Sequence, residues 1–284
     1  MRLLLKLFLL LLIVNPVCAQ FNLIGDADYM LGDCIKLTPD EPYASGMAYH
    51  ERKLNLNQYF EIEFDIYFGD KDELGADGIA FVIHNDPRGY EAFGFWGEGL
   101  GYGRIYPSIA VEFDTYQNMY RNDPACDHVA YLENGLVYQN DYWNNDDAEY
   151  NLEDDKLHNF RFRWDPTEKM LMVYLDNNIV FQGQRDLIKE IFAGEKEVIW
   201  GFTASTGRKH NLQYFCLRKW TFNGPKVLEN PNQAQWAFNK LIPIIPERME
   251  YVLKETSKSK EEKIIVRTKD LPESSPQSKA DNDF

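Results

Sequence analysis

The stretch VEFDTYQNMYRNDPACDHVAY, residues 111–131, concentrates side chains that could either break a covalent bond or hold a metal ion. Its acidic, amide and imidazole groups belong to Glu112, Asp114, Asn118, Asp123, Asp127 and His128. Glu112 and Asp114 are two positions apart, so on a β-strand both would point to the same face while Phe113 points into the core. Paired carboxylates on one face suit both acid–base catalysis and cation binding.

A β-sandwich glycoside hydrolase is one hypothesis that such a pair raises. This class of enzyme needs two carboxyl groups on either side of one glycosidic bond, with one of them kept protonated. Its strand signature also adds a further acid shortly after the pair. Here Tyr116, Gln117 and Asn118 occupy those positions, and the next carboxylate, Asp123, lies beyond the predicted strand. The segment therefore argues against a glycosidase, which stays an alternative.

The residues after the carboxylate pair favour a metal site. Asn118 supplies an amide oxygen and Asp123 a carboxylate, and Asn122 and Pro124 favour a turn of the chain near them. Hard oxygen ligands suit calcium, whereas the imidazole of His128 is better suited to manganese or zinc. Two different metal ions that share the carboxylates would use every group. The alternative is that these side chains simply line an acidic loop.

The composition indicates one large all-β domain with additional segments. Of the 284 residues, 44% are hydrophobic and 14% are aromatic, which is ample for a packed core and typical of strands. The net charge of −15 repels phosphate backbones and anionic lipid. We therefore expect no nucleic-acid partner, while an acidic balance is compatible with cation capture or with plain solubility.

The N-terminus, MRLLLKLFLLLLIVNPVCAQ, has the pattern of a secretory signal peptide. Arg2 and Lys6 accompany a leucine-rich core of roughly a dozen residues, and small residues precede a predicted cleavage after Ala19. A membrane-spanning helix would need about 20 apolar residues, which no later segment supplies. We expect residues 1–19 to be removed and the mature chain to be secreted, into a periplasm or outside the cell, with no membrane span.

Removal of the signal peptide leaves three cysteines, Cys34, Cys126 and Cys216. An odd number in an oxidising compartment is most simply one disulfide and one thiol. Cys34 and Cys216 lie near the two ends of the strand-rich region, and a bond between them would contribute up to about 5 kcal/mol by closing a long loop. We predict that pair, which leaves Cys126 unpaired.

Alternating apolar and polar residues predict several strands. Residues 59–68, YFEIEFDIYF, and 159–164, NFRFRW, each place apolar side chains on one face, and Arg161 and Arg163 are expected outside. The apolar positions are Phe60, Ile62, Phe64, Ile66, Phe68, Phe160, Phe162 and Trp164. The segment LMVYLDNNIVFQ reads as a hairpin that turns at residues 176–178. GIAFVI and SIAVEF are apolar enough for central strands, and residues 186–192, DLIKEIF, predict a short helix.

Strands separated by Gly, Asn and Asp, without an alternating helix rhythm, indicate an antiparallel β-sandwich or jelly roll. The pattern covers residues 20–224. The composition then changes, and residues 225–284 predict a C-terminal extension that is partly helical and then charged, polar and disordered.

Several segments in order along residues 21–224 resemble legume-type (L-type) lectins. The spacing of the metal-binding loop is matched by Glu112, Asp114, Tyr116, Asn118, Asp123, Pro124 and His128. ADGIAFVIHND resembles the family's Ala-Asp-Gly strand, GEGLGYG its glycine-rich loop, and WGFTASTG with LRKWTF its closing strands. CIKLTP and NLQYFC resemble secreted bacterial members more than plant seed lectins, which supports the predicted disulfide. The resemblance implies a concanavalin-like sandwich.

The resemblance also implies two metal ions. A transition-metal site, for manganese or another such ion, would be formed by Glu112, Asp114, Asp123 and His128. A calcium site would use Asp114, the backbone carbonyl of Tyr116, the side chain of Asn118, and Asp123. Both ions organise a sugar site in the family, where calcium also supports a cis peptide that corresponds here to Ala76–Asp77.

Four residues are implied as carbohydrate ligands. Asp77 can accept hydrogen bonds from two hydroxyls, the Asn118 amide can donate and accept, and the Tyr116 ring can stack on the sugar. A glycine N–H completes the set, for which Gly97 and Gly99 are candidates and Gly99 is predicted. The loop that follows Gly207, RKHNLQ, departs from the plant pattern, so the resemblance does not imply which sugar is bound.

The leading hypothesis is thus a secreted, metal-dependent, non-catalytic protein that binds glycans, as polysaccharides or glycoconjugates. Single sugar sites are weak, since a Kd near 1 mM corresponds to only about −4 kcal/mol. Adhesion would then need several sites, which a homo-oligomer or the C-terminal extension could supply. Besides the glycosidase, the alternative is a structural adhesion module in which the metal ions only stiffen loops.

Overall fold

The computed structural model describes residues 21–222 except 122, 139 and 140. The predicted signal peptide, residues 1–19, and the predicted C-terminal extension, residues 225–284, lie outside these residues. The strands are β1 (Phe21–Gly25), β2 (Asp28–Tyr29), β3 (Cys34–Thr38), β4 (Ser45–His50), β5 (Leu54–Asn55), β6 (Phe60–Tyr67), β7 (Gly78–His84), β8 (Ser108–Asp114), β9 (His128–Glu133), β10 (Leu157–Asp165), β11 (Met170–Leu175), β12 (Asn178–Gln184), β13 (Glu197–Ser205) and β14 (Gln213–Phe222).

These strands form two antiparallel sheets. The first sheet has the order β1-β4-β13-β7-β8-β9, with β5 paired to β13, and the second has the order β12-β11-β10-β6-β14-β3-β2. The predicted antiparallel β-sandwich is confirmed. Because β7 and β8 lie in the middle of the first sheet, all their residues are buried, as their continuous apolar sequences predict.

The core between the sheets is built largely from aromatic rings. Four of the five apolar residues predicted on one face of the strand YFEIEFDIYF lie in β6, and the fifth, Phe68, directly follows it; all five are fully buried. Phe64 packs edge-on against Phe202 of the other sheet, with 4.7 Å between ring centroids, and Phe81 lies 5.0 Å from Phe162. Large rings that interlock from both sheets bury much apolar surface, and this packing fixes the sheets as the frame for the loops at their edges.

The outer face of the second sheet is less exposed than its polar sequence predicts. Arg163 was expected in solvent, but its side chain is buried because it pairs with Glu61 at 2.6 Å and lies against the Tyr174 ring. Asp65 is buried as well and pairs with Arg218 on β14. Strand alternation gives the correct face in both cases, whereas burial depends on partners from neighbouring strands.

The predicted hairpin and short helix are confirmed. Asp176 and Asn177 connect β11 to β12 with positive φ angles of 48° and 66°, a conformation that Asp and Asn tolerate. A π-helical turn spans Leu187–Ile191, and the Asp186 side chain accepts a hydrogen bond from Lys189 N at 3.2 Å. Other short helices, all 3₁₀, are Gly89–Glu91, Gly97–Gly99 and Met119–Arg121. Within the part of the chain described here, the structure contains no helix with the length and apolar character of a membrane span.

The predicted disulfide between Cys34 and Cys216 is confirmed. The two residues are direct neighbours on β3 and β14, where the register pairs Cys216 with Cys34. Cys126 carries a free thiol, whose sulfur accepts a hydrogen bond from Asn144 Nδ2 at 3.3 Å. The bond joins positions 182 residues apart in sequence and thereby closes almost the whole sandwich into one loop.

Replacing both Cys34 and Cys216 by Ala should lower the free energy of unfolding by about 2–5 kcal/mol, because the unfolded chain gains the conformational freedom that the long closed loop removes. Urea denaturation of the two forms measures the difference. Cys126→Ala is the matched control and should change stability by less than about 1 kcal/mol. Equal midpoints for the double variant and this control would contradict the prediction.

Candidate functional site

The candidate site lies where four strands of the first sheet reach the same edge. The register places Ser205 at the end of β13 beside Gly78 at the start of β7. Gly78 pairs in turn with Asp114 at the end of β8, and Asp114 pairs with His128 at the start of β9. Residues that are distant in sequence thus form one row across the sheet, and the loops that leave these strands surround it.

Glu112, Asp114 and His128 form a buried cluster that could hold a metal ion. One potential ligand atom from each lies within 4.8 Å of the others. Asp114 Oδ2 is 3.9 Å from His128 Nε2. Glu112 is flanked on its two neighbouring strands by Ala80 and Ala130, whose short side chains leave room beside the carboxylate.

A loop over the outer face of the first sheet completes the surroundings of Glu112. Residues 92–105 supply buried apolar side chains that pack on this face, among them Leu100 and Tyr102. The Tyr102 hydroxyl donates a hydrogen bond to Glu112 Oε2 and lies 3.1 Å from the carbonyl oxygen of Leu136. Sequence reasoning missed Tyr102, because its link to Glu112 depends on how the loop folds back.

The cluster concentrates negative charge away from water. Burial raises the pKa of Glu112 and of Asp114 above the ordinary carboxyl range. The negative charge of Asp123 raises both further, while the hydrogen bond from Tyr102 lowers the pKa of Glu112. Ionised carboxylates at such short range repel each other unless a cation lies among them.

The loop after β8 is held in shape by its own predicted ligands. Tyr116 N donates to Asp114 Oδ1 at 2.8 Å, and Asn118 N donates to Asp123 Oδ2 at the same distance. Gln117 Nε2 donates to the Asp123 carbonyl at 3.3 Å. Asp123 is therefore drawn back towards the end of β8, which is consistent with its effect on the pKa values of the cluster.

Asp77 stands at the other side of the row, and the Ala76–Asp77 peptide is cis, as the resemblance implies. Asp77 N donates to Ser205 O at 3.1 Å, and the Asp77 carbonyl accepts from Thr115 N at 3.0 Å. Gly78 follows with φ 127°, where a Cβ would lie 2.1 Å from the carbonyl oxygen of Phe113. The backbone around Asp77 is thus fixed between β8 and β13.

One oxygen of the Asp77 carboxylate has no hydrogen-bond partner in the part of the chain that the structure describes. Its Oδ2 atom is buried and accepts no hydrogen bond within the described residues. Burial raises its pKa to about 7, and the negative charge of Glu98 contributes to the increase. A Cβ at Gly207 would lie 3.3 Å from this oxygen, so glycine keeps the approach open. A buried acceptor without a donor is suited to receive one from a ligand.

The two candidate glycines of the glycine-rich loop, Gly97 and Gly99, lie in different environments. Gly99 is buried, its N–H donates to Trp96 O at 3.4 Å, and a Cβ there would lie 2.5 Å from the Phe95 ring. Gly97 has φ 64° and open space where a Cβ would be. Gly97 is half-buried whereas Gly99 is buried, so Gly97 is the more accessible of the two. The Ser205 hydroxyl donates to the Gly97 carbonyl at 2.8 Å.

The loop after β13 brings basic and polar groups to the site. Lys209 Nζ lies 5.2 Å from the centroid of the Tyr116 ring, and Arg208 is exposed. His210 turns away, since its Nδ1 lies 2.8 Å from Asp40 Oδ1. Asn211, which sequence reasoning missed, is fully buried and donates to Lys71 O at 3.0 Å.

A second acidic pair anchors the same loops. Asp127, from the first stretch considered, accepts from Leu152 N at 2.6 Å, and Glu153 accepts from Asn211 Nδ2. Burial raises the pKa of Asp127 to about 7 and that of Glu153 to about 9, where the negative charge of Asp127 adds to the effect. Asn211, which donates to both Glu153 and Lys71 O, connects residues 69–77 with residues 207–213 and so supports the loops that carry Asp77 and Gly207.

A family model described as the legume lectin β-barrel domain matches residues 15–219. This chain belongs to the legume (L-type) lectin family. Lectins of this family bind carbohydrate and are not catalysts. The chain is therefore a carbohydrate-binding lectin and not an enzyme, which removes the glycosidase alternative.

Solved plant lectins share the fold of this lectin. A basic winged bean lectin with Tn-antigen is 23% identical over 72% of this chain and 91% of its own, with a TM-score of 0.57. The Bauhinia forficata lectin in complex with GalNAc is 20% identical over 74% of this chain and 93% of its own, with a TM-score of 0.59. The metal-free Griffonia simplicifolia lectin I-B4 is 22% identical over 74% of this chain and 95% of its own, with a TM-score of 0.56.

The residues of this lectin fit the metal ions that its family implies. Legume lectins in general bind calcium and a transition metal. The buried cluster offers two carboxylates and an imidazole, a donor set that accepts a transition metal. The adjoining loop adds carboxylate, amide and carbonyl oxygens, which suit calcium.

The metal-free lectin should become less stable as the pH rises from about 5 towards 8. The raised pKa values of Glu112, Asp114 and Asp77 mean that the folded state binds more protons than the unfolded state in this range, so ionisation costs the folded state more. Added metal ions replace the protons, and their stabilising effect should therefore be larger at pH 8 than at pH 5.5.

Thermal unfolding with a chelator, and with calcium and manganese, at both pH values measures this effect. Each kcal/mol regained should raise Tm by about 2–4 °C. Glu112→Gln, which removes one buried charge, should reduce the pH dependence of the metal-free form. A metal-induced rise in Tm that is equal at both pH values would contradict the electrostatic account.

Proposed function

We propose that this lectin is secreted and binds glycans in a metal-dependent way, through a site that calcium and a transition metal organise. The observation that carries the proposal is that a buried acidic cluster and a buried carboxylate oxygen without a partner among the described residues lie at the same edge of the first sheet. The buried Glu112, Asp114 and His128 cluster lies on strands next to Asp77, whose Oδ2 has no partner within the described residues. The acidic cluster is suited to bind cations, and Asp77 Oδ2 is suited to accept a hydrogen bond from a sugar hydroxyl.

In this proposal Glu112, Asp114, Asp123 and His128 hold manganese or another transition metal. Calcium is held by Asp114, the Tyr116 carbonyl, the Asn118 side chain and Asp123. The hydrogen bonds from Tyr116 N to Asp114 and from Asn118 N to Asp123 support this assignment, because they curl the loop around the carboxylates. When bound, the metal ions neutralise the buried carboxylates and fix the loop that carries Tyr116 and Asn118.

The sugar is bound in this proposal by Asp77, Asn118, Tyr116 and the backbone of the glycine-rich loop. Asp77 accepts from sugar hydroxyls, Asn118 donates and accepts, and the half-buried Tyr116 ring stacks on a C–H face. Gly99 remains the predicted backbone donor, and the openness around Gly97 supports testing both glycines.

Secretion rests on the predicted signal peptide, residues 1–19, which also accounts for the Cys34–Cys216 disulfide as a bond of an oxidising compartment. Because a single sugar site binds weakly, several sites in one assembly would raise the overall affinity, so a homo-oligomer is part of the proposal.

The resemblance to the family does not indicate which sugar is bound. The Bauhinia forficata lectin is in complex with GalNAc, and the winged bean acidic lectin with methyl-α-D-galactose, so both sugars belong in a test panel with mannose.

Binding to a glycan array should require metal ions and the Asp77 carboxylate. The purified chain is probed with calcium and manganese, after chelation, and after both metals are restored. Asp77→Asn removes the charge and replaces one of the two acceptor oxygens by an amide donor, while it keeps the shape and the stability of the buried site, so it should lower glycan affinity by at least about 100-fold without lowering Tm.

Asp72→Asn is the matched control, since it makes the same charge change at an exposed position of the same loop. It should bind like the unaltered chain. Glycan binding that survives both chelation and Asp77→Asn would refute the proposed site. A folded protein that loads both metals yet binds no glycan would favour the structural adhesion module.

A further inference from the structure

Two exposed aromatic residues lie together beside the candidate sugar site. Tyr43 is 58% exposed and Trp96 is 59% exposed, although most of the large aromatic residues in the core are fully buried. Their ring centroids are 6.0 Å apart and the ring planes meet at 88°. The pair therefore exposes two aromatic rings that are set at about a right angle to each other.

Both residues are connected to Asp77 through short chains of backbone contacts. Tyr43 N donates to Gly207 O at 2.8 Å, and Gly207 is the residue at which a Cβ would lie 3.3 Å from Asp77 Oδ2. Trp96 precedes Gly97, whose carbonyl accepts from the Ser205 hydroxyl, and Ser205 O accepts from Asp77 N. The aromatic pair is thus continuous with the rim of the candidate sugar site.

The stability of the fold does not explain why a tyrosine occupies position 43. Its φ angle is 61°, in the left-handed region that is strained for a bulky residue and that glycine occupies readily. A side chain that is mostly exposed also gains little from burial. A strained backbone with an exposed ring is a combination that function explains better than packing.

Sugar rings are the ligands that suit such a pair at this location. The C–H face of a pyranose packs on an aromatic plane, and ring hydroxyls remain free for polar neighbours. Tyr43 is bonded through its N–H to Gly207, which lies beside Asp77 Oδ2, so the aromatic pair borders the position of a ring bound at Asp77. A pair set at a right angle can stack on one face of a second ring of the same glycan and contact its edge.

We propose that Tyr43 and Trp96 form a second subsite, which stacks on the neighbouring ring of an oligosaccharide whose terminal ring is bound at Asp77. The inference rests on the proposed function and deepens it. The ligand class is an oligosaccharide of at least two rings rather than a single sugar.

Calorimetric titration of the full metal-loaded chain tests the subsite. The probes are the methyl glycosides of galactose, N-acetylgalactosamine and mannose, and di- and trisaccharides that end in each of them. For the sugar that binds, the oligosaccharide should bind about tenfold more tightly than its terminal monosaccharide. Tyr43→Gly and Trp96→Ala should remove most of that gain and leave the monosaccharide affinity unchanged.

Tyr43→Gly also separates binding from folding, because glycine relieves the positive φ and should keep Tm at least as high. Tyr29→Ala is the control, since this tyrosine of β2 in the second sheet is 49% exposed. It should keep the full difference between oligosaccharide and monosaccharide.

Three results would overturn the subsite. Equal affinities for a monosaccharide and its oligosaccharides would do so, as would aromatic variants that keep the full gain. A changed oligomeric mass in the variants with unchanged glycan affinity would identify the pair as an interface between copies of the chain. Absence of binding to any probe would instead count against the proposed function itself and would remove the basis of the inference, an outcome distinct from retained monosaccharide binding.

Discussion

The mutual repulsion of carboxylates buried at the end of β8 is the constraint on which the site depends. Glu112 and Asp114 are held in the middle of a sheet that the aromatic core makes rigid, and Asp123 is drawn towards them by its hydrogen bond from Asn118. These groups cannot move apart without disrupting the strand or the loop. Only protons or cations can relieve the repulsion, and this links the state of the site to pH and to metal ions.

The same strand edge explains how Asp77 is positioned. Its N–H and carbonyl are bonded to Ser205 and Thr115, on either side, and Gly78 allows the chain to pass close to Phe113. The backbone N–H and carbonyl have partners while Oδ2 has none among the described residues, so the residue is fixed and can still accept a hydrogen bond from a ligand. Thr115 directly follows Asp114, so its N–H bond to the Asp77 carbonyl joins the Asp77 backbone to the start of the acidic loop.

Around this centre, five loops are joined by polar contacts that cross large distances in sequence. Asn211 connects to Lys71 and Glu153, Tyr43 to Gly207, and Ser205 to Gly97. All of these contacts except that between Asn211 and Glu153 involve a backbone group, so the loops hold one another even where their side chains differ from those of plant lectins. This arrangement leaves the exposed side chains of the rim free to vary, and it is there that Tyr43, Trp96, Arg208 and Lys209 are found.

The sequence alone determined the strands and their faces, because a period of two leaves little choice for β6 and β10. It also determined the hairpin at residues 176–177, the Cys34–Cys216 pair, and the acidic stretch that carries most of the candidate ligands, since family spacing is preserved there. The tertiary structure alone decided which buried groups have partners. It buried Arg163 and Asp65 through ion pairs, brought Tyr102 to Glu112, set Gly97 and Gly99 in different environments, and placed Tyr43 beside Trp96. The physical reason is that periodicity is a local property of the chain, whereas hydrogen bonds, charge proximity and exposure depend on segments that meet only when the two sheets pack.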